Sequence, residues 1–104
     1  MEVKVAKLSD LPPASMKSVV AGDFELVLVR NSAGVISALE DRCSHAEVRL
    51  SEGFVEGNEV ECPAHGARFD ATTGKALCMP AVAAVPVFQV TVQGEDIIVA
   101  VPNE

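Results

Sequence analysis

The sequence predicts an all-β fold of many short strands. Its apolar residues fall in short bursts that are rich in β-branched side chains and are separated by Gly, Pro, Asn and Asp. No segment has the spacing of an amphipathic helix three turns long. With 104 residues, the chain is expected to form a single domain over residues 1–104. It lacks Trp and Tyr, so Val, Leu, Ile and Ala must supply most of its core.

The predicted strands lie in the segments VKVAKL, FELVLVR, VISALE, VPVFQVTV and DIIVAV. Turn residues at 31–34 and at 93–96 each predict a hairpin between two of these strands. A third hairpin is predicted over residues 55–61, with Gly57 and Asn58 at its tip. The segment LSDLPPASM is expected to form a short helical turn or a loop, because its two prolines leave little room for a long helix.

The net charge of −7 argues against binding to nucleic acid or to an anionic membrane surface. Residues 40–70 contain eight acidic residues and three arginines, which indicates either a docking face for a basic partner or a solvated hairpin rim. The N-terminus shows no apolar signal region, and the longest apolar run, residues 81–88, is too short to span a membrane. An odd count of three cysteines is unusual for a disulfide framework, so we expect a reducing cytoplasm.

The scarcest reactive side chains of the chain gather in two short segments. Cys43 and His45 form a C-x-H pair, and Cys62 and His65 form a C-x-x-H pair. Each pair follows a predicted strand, and the predicted 55–61 hairpin joins them. We therefore expect two loops side by side at one end of the fold. Four ligands from two loops is the ligand count of a metal site.

The spacing leaves two kinds of metal site open. A tetrahedral zinc ion accepts two thiolates and two imidazoles, and a [2Fe–2S] cluster can take two Cys on one iron and two His on the other. Zinc sites usually keep like ligands together in one pair, whereas each loop here offers one Cys and one His. The mixed pairs favour the cluster.

The pattern C-x-H, 16 residues and C-x-x-H, followed by Gly66, resembles the Rieske iron–sulfur signature. The segments LSEGFVEGNEVECPAHGARFD, TGKAL and MPAVAAVPVFQVTV also resemble the bacterial Rieske ferredoxins that serve aromatic-ring-hydroxylating dioxygenases. The resemblance covers essentially the whole chain. It implies the Rieske fold of small antiparallel sheets, with a two-loop cluster-binding subdomain over about residues 40–82.

The resemblance also implies a role for each candidate ligand. Cys43 and Cys62 would ligate the inner iron of one Rieske-type [2Fe–2S] cluster, and His45 and His65 would ligate the outer iron. A loop around Pro80 and Ala81 would cover the cluster. No set of residues predicts catalysis by this chain, since both histidines are used as ligands.

The function implied by the resemblance is that of a soluble one-electron carrier. A monomer is expected, because it best serves a shuttle between two partners. Electrons would come from an NAD(P)H-dependent flavin reductase and pass to a terminal Rieske oxygenase. Alternative functions are a small Rieske subunit of assimilatory nitrite reductase, a ferredoxin of another monooxygenase and, from a different class, a zinc-stabilised interaction module.

A reduction potential near the lower end of the Rieske range, about −150 to +300 mV, is expected. Respiratory and photosynthetic Rieske proteins carry two additional cysteines that form a disulfide. The positions that resemble them in this chain are Val48 and Ala64. They also place hydroxyl donors where this chain has Ala67 and Phe69. Fewer hydrogen bonds to the cluster and its thiolates stabilise the reduced form less.

Two further expectations concern side chains near these loops. Cys78 is expected to be a buried thiol in the core. Three arginines flank the candidate ligand loops and are expected to form surface ion pairs with nearby acids. These arginines are Arg42, Arg49 and Arg68, and the acids considered are Glu40, Asp41, Glu47 and Glu52.

Overall fold

The computed structural model describes residues 1–42, 48–63, 66–77 and 84–102. These residues form nine strands and two short 3-10 turns, so the all-β prediction is confirmed. The strands are β1 (Glu2–Lys7), β2 (Ser15–Ala21), β3 (Phe24–Arg30), β4 (Ile36–Glu40), β5 (Phe54–Glu56), β6 (Glu59–Glu61), β7 (Arg68–Asp70), β8 (Val87–Gln93) and β9 (Asp96–Ala100). The 3-10 turns are Leu8–Asp10, within the segment predicted as a helical turn, and Leu50–Glu52.

Six strands form a large antiparallel sheet in the order β1-β9-β8-β4-β3-β2. The predicted turns at 31–34 and 93–96 are confirmed, because they join β3 to β4 and β8 to β9. In the first of these turns, the Asn31 side-chain oxygen accepts hydrogen bonds from the Ala33 and Val35 backbone at 3.0 and 2.9 Å. β1 also lies close to β2, so the two outer strands of the sheet approach each other.

Three strands form a small sheet in the order β5-β6-β7. The predicted hairpin with Gly57 and Asn58 at its tip is confirmed as the β5–β6 connection. β2 and β7 are additional strands that the apolar bursts did not indicate. The sequence of β2, SMKSVVA, mixes polar and apolar residues, and it pairs with β3 along its whole length. β7 has three residues and pairs with β6.

The continuous apolar run of β3 lies between two cores. Leu26 and Leu28 face a core within the large sheet, and Val27 and Val29 face the small sheet. We call the second group the intersheet core. It contains Val27, Val29, Leu39, Leu50, Val60, Cys62, Ala67, Phe69, Ala71 and Val85. Because both faces of β3 are covered, its burial does not alternate as it would in a strand with one solvated face.

Across the described segments, no helix is long and apolar enough to cross a membrane.

Candidate metal centre

Of the four candidate ligands, the structure describes Cys62. Cys43, His45 and His65 lie outside the described residues, as do Ala64, Cys78 and the loop residues Pro80 and Ala81. Within the described ranges, no three His, Cys, Asp or Glu side chains are grouped so that they could hold a metal ion. The geometry of the site is therefore built from the described ends of the ligand loops.

Cys62 lies immediately after β6 and is fully buried in the intersheet core. Its backbone N–H donates to the Ala67 carbonyl oxygen at 2.7 Å, which closes the loop between β6 and β7. Gly66 lies just before that closure with a φ of 70°, a left-handed conformation that glycine adopts without steric cost. This closed loop places Cys62 in the protein interior, whereas the next residue, Pro63, is exposed.

The other candidate ligand loop leaves the large sheet at the end of β4. Its first described residue, Asp41, is buried, and its backbone N–H donates to the Glu25 carbonyl oxygen at 3.0 Å. Its side chain accepts hydrogen bonds from the Ser51 N–H at 2.8 Å and from the Ser51 hydroxyl at 2.7 Å. The Asp41 side chain thereby joins the two ends of the 42–50 segment by accepting from both the backbone and the side chain of Ser51.

The segment that contains Pro80 and Ala81 also begins and ends beside the small sheet. The Leu77 N–H donates to the Arg68 carbonyl oxygen at 2.8 Å, and the Val85 N–H donates to the Gly74 carbonyl oxygen at 2.8 Å. Val85 lies in the intersheet core with Cys62. The described ends of all three loops thus converge on one core, which fits a cofactor held between loops.

The outer face of the small sheet is acidic. The Arg68 guanidinium lies 2.9 Å from Glu61, 3.4 Å from Glu59 and 4.0 Å from Glu56. The hydrogen bond to Glu59, followed by the charges of Glu61 and Glu56, raises the pKa of Arg68. Asp70 lies opposite Glu59 on this sheet, so the face keeps an excess of negative charge around its one described arginine.

The expected surface ion pairs of the flanking arginines are partly confirmed. Arg49 lies 3.8 Å from Asp41, as expected, but its shorter pair, at 2.8 Å, is with Glu25 from a distant strand. Arg68 also forms surface ion pairs, and its described partners are the glutamates of β5 and β6, which β-sheet pairing places beside it and which were not among the acids considered. Asp41 is also not a surface residue, since its side chain is fully enclosed.

Sequence reasoning missed the polar residues that attach the small sheet to the large one. The Asn31 side-chain N–H donates to the Asn58 side-chain oxygen at 2.9 Å, and the Asn58 side chain donates to the Thr72 hydroxyl at 3.0 Å. Asn31 and Asn58 both lie in predicted hairpin turns, where asparagine is common because its side chain hydrogen-bonds to the backbone of the turn. Only the pairing of the two tips reveals their joint role.

A [2Fe–2S] cluster fits the described part of the site. Cys62 offers its thiol from a fully buried position, and the residues that follow it, Ala67 and Phe69, are also fully buried. Neither carries a hydroxyl. These two side chains would therefore offer the cluster no hydroxyl hydrogen bond.

Residues 1–89 match the Rieske [2Fe–2S] domain family. The chain belongs to this family. It is 41 % identical over 96 residues to the ferredoxin component of biphenyl 2,3-dioxygenase from Rhodococcus jostii, covering 92 % of this chain and 89 % of that protein. The Rieske chain therefore carries one Rieske-type [2Fe–2S] cluster, and this finding decides against the zinc-stabilised alternative.

Solved structures agree with the relationship seen in the sequence. The ferredoxin of carbazole 1,9a-dioxygenase from Nocardioides aromaticivorans superposes with a TM-score of 0.91 at 35 % identity, covering 96 % of this chain and 97 % of that one. A complex of reduced oxygenase and oxidised ferredoxin in carbazole 1,9a-dioxygenase matches with a TM-score of 0.88 at 33 % identity, covering 95 % and 92 %. The Rieske chain is a ferredoxin, an electron carrier rather than an enzyme.

Proposed function

We propose that this Rieske ferredoxin is the electron-transfer component of an aromatic-ring-hydroxylating dioxygenase system. It would accept one electron at a time from an NAD(P)H-dependent flavin reductase and pass each electron to a terminal Rieske oxygenase. The observation that supports this proposal is its full-length similarity to dioxygenase ferredoxin components, one of them solved in complex with an oxygenase. A nitrite reductase subunit or a ferredoxin of another monooxygenase is not favoured by these relatives.

We propose Cys43, His45, Cys62 and His65 as the ligands of the cluster, within a cluster-binding subdomain over about residues 40–82 of a single domain. The buried position of Cys62 after β6 supports its assignment to the inner iron. The two histidines would complete the outer iron. When bound, the cluster supplies the one-electron chemistry, and the protein holds its ligands and limits the access of water.

The ligand set is tested by electron paramagnetic resonance of the dithionite-reduced protein at low temperature. A rhombic signal with a low average g value is expected for a His-ligated [2Fe–2S] centre. Cys62→Ser should abolish this signal or change its g values. A matched control is Ser37→Ala on β4, a half-buried position in the large sheet that should leave the signal unchanged. A spectrum of Cys62→Ser identical to that of the parent protein would exclude Cys62 as a ligand.

The proposed partners are tested by electron transfer in a reconstituted system. A reductase and an oxygenase of the aromatic dioxygenase class are mixed with NADH, with and without this protein. Oxygen uptake that depends on the ferredoxin, and on its reduced cluster, is the expected result. A stable complex with a nitrite reductase large subunit during purification would instead favour a permanent subunit. Gel filtration of the free protein should give the mass of a monomer.

The low reduction potential remains a prediction. The buried residues Ala67 and Phe69, close to Cys62 in the sequence, allow it to be tested by substitution. Ala67 and Phe69 are fully buried and cannot donate a side-chain hydrogen bond to the cluster or to its thiolates. We expect Ala67→Ser or Phe69→Tyr to raise the potential, because each adds a hydroxyl donor at a position where the respiratory and photosynthetic Rieske proteins carry one. Protein-film voltammetry measures the shift. A parent potential in the upper half of the Rieske range would contradict the argument.

A further inference from the structure

Asp41 is an unusual residue in this chain because its carboxylate is buried. Its side chain is fully enclosed, although it lies only two residues before Cys43. Two residues of extended chain span about 7 Å, so this carboxylate is near the start of a ligand loop. Burial of a charged group is costly unless it is paired and hydrogen-bonded, which makes a purely incidental placement a poor explanation.

The partners of Asp41 account for its burial. Ser51 donates to both carboxylate oxygens, from its backbone N–H at 2.8 Å and from its hydroxyl at 2.7 Å. The Arg49 guanidinium adds a longer ion pair at 3.8 Å. These donors belong to Arg49, near the end of the 42–50 segment, and to Ser51, which directly follows it, so the carboxylate joins the two ends of the segment. Hydrogen bonds to a charged acceptor are stronger than neutral ones.

The backbone of Asp41 fixes the same residue to the large sheet. Its N–H donates to the Glu25 carbonyl oxygen at 3.0 Å, and the Arg49 side chain reaches Glu25 at 2.8 Å. Asp41 is therefore a junction between β3, the end of β4 and the 3-10 turn at Leu50–Glu52. The loop that contains Cys62 is closed differently, by a backbone hydrogen bond from the Cys62 N–H to the Ala67 carbonyl oxygen.

We propose that Asp41 is a positioning residue for the cluster, because its buried carboxylate joins the two described ends of the segment that carries the proposed ligands Cys43 and His45. This inference rests on the ligand set proposed above. It has an electrostatic consequence as well. A fixed anion in a buried position is weakly screened by salt and opposes the addition of an electron to a nearby cluster. Asp41 should therefore hold the reduction potential down.

Three variants separate loop closure from charge. Asp41→Ala removes both, Asp41→Asn removes the charge but keeps the shape and one acceptor oxygen, and Ser51→Ala removes one hydrogen bond but keeps the charge. Glu52→Gln is the matched control, since it removes one negative charge from an exposed side chain beside Ser51. Each protein is purified with its cluster. The measurements are the signal of the reduced protein in electron paramagnetic resonance, the reduction potential, and the rate at which a chelator bleaches the visible absorbance.

Loop closure and charge predict different results. We expect Asp41→Ala to lose its cluster to the chelator about tenfold faster than the parent protein and Ser51→Ala about threefold faster, with a broadened or shifted signal in both. Asp41→Asn should raise the reduction potential, and Ser51→Ala should not. Glu52→Gln should match the parent protein in all three measurements. If Asp41→Ala does not fold, the bleaching rate of Ser51→Ala decides the question of loop closure.

The inference is overturned if the Asp41 and Ser51 variants match the parent protein in signal, potential and bleaching rate. It is also overturned if faster bleaching is accompanied by a proportionate loss of global stability in urea while the signal and the potential are unchanged. A parent protein without a Rieske signal would instead overturn the proposed ligand set. The unsubstituted sample therefore tells the two failures apart.

Discussion

The strands of the large sheet are five to seven residues long, whereas each strand of the small sheet has three residues. Long paired strands with a buried face supply their own hydrogen-bond ladder and packing. A sheet of three-residue strands does not, and a small isolated sheet is marginal in water. The small sheet nevertheless carries Cys62 and borders the candidate ligand loops.

This difference in strand length indicates that the small sheet, and with it the candidate metal centre, is stabilised by packing against the large sheet. Val27, Val29 and Leu39 of the large sheet supply one side of the intersheet core, and Val60 and Phe69 of the small sheet supply the other. Side-chain hydrogen bonds between hairpin tips add a second attachment. Substitutions in these links should therefore disturb the small sheet first.

The largest effect is expected from Phe69→Ala, which removes the biggest fully buried side chain of the molecule's described residues. Deletion of a buried aromatic ring costs about 3–5 kcal/mol through lost burial and the cavity left behind. Urea unfolding followed by circular dichroism measures the loss, and hydrogen exchange should rise in β5–β7 before it rises in β2–β4. The same exchange increase in both sheets would contradict the dependence of the small sheet on this core.

Phe54→Ala is the matched control for this prediction. Phe54 lies on the outer face of the same sheet and is 64 % exposed. Removal of an exposed ring away from special features usually changes the free energy of unfolding by no more than about 0.5 kcal/mol. Equal losses for the two phenylalanine variants would show that ring removal in general, rather than the intersheet core, destabilises the protein.

The next effect is expected at a close backbone contact beside the small sheet. A Cβ atom on Gly74 would lie 2.0 Å from the Val85 carbonyl oxygen, whereas a Cβ atom on Gly57 would meet nothing within 4 Å. Both glycines have positive φ, +73° and +59°, so alanine is strained at both positions. Gly74→Ala should cost about 1–3 kcal/mol more than Gly57→Ala, because it adds steric overlap. Thermal unfolding of the two variants measures the difference, and equal midpoints would contradict it.

The large sheet was largely predictable from the sequence, and the small sheet was only partly so. Strands such as β8 and β9 show apolar alternation and a turn signal between them, and local pattern determines both features. β7 has three residues, RFD, too few to display any period. β7 forms because Phe69 packs into a core whose other residues are mostly distant in sequence. A local sequence pattern does not reveal such contacts.

The same distinction applies to the candidate site. The sequence leads to Cys43, His45, Cys62 and His65 as the proposed ligand set, because metal chemistry restricts both the identity and the spacing of ligands. The burial of Asp41 could not. An aspartate after a strand is usually solvated, and its Ser51 partner lies ten residues away in the sequence. Tertiary structure alone brings the two side chains together.

A smaller loss is expected from Asn58→Ala at the polar link between the sheets. The variant leaves the buried Asn31 side-chain N–H without its acceptor at Asn58, and an unsatisfied buried donor of this kind costs about 1–2 kcal/mol. Thr72→Ala removes only the exposed end of the link and should cost less. A double-mutant cycle of Asn31→Ala and Asn58→Ala in urea isolates the pair. A coupling energy of zero would mean that the two tips are independent.

The smallest change in stability is expected from substitutions of exposed charged residues. We expect this change to depend on salt more strongly in the small sheet than in the large sheet. Arg68→Gln leaves Glu56, Glu59 and Glu61 near one another without their shared cation, so it should destabilise the protein more at low salt than at high salt. Lys4→Gln on the large sheet breaks a single exposed pair with Asp96 at 3.2 Å and should change stability less. Urea unfolding of both variants at low and high ionic strength gives the comparison.

Because the pKa of Arg68 is raised by the same glutamates, its charge persists across the usable pH range, and salt rather than pH is the variable that reveals the interaction. A loss in Arg68→Gln that does not change with salt would mean that the arginine acts by packing against the sheet rather than by neutralising it.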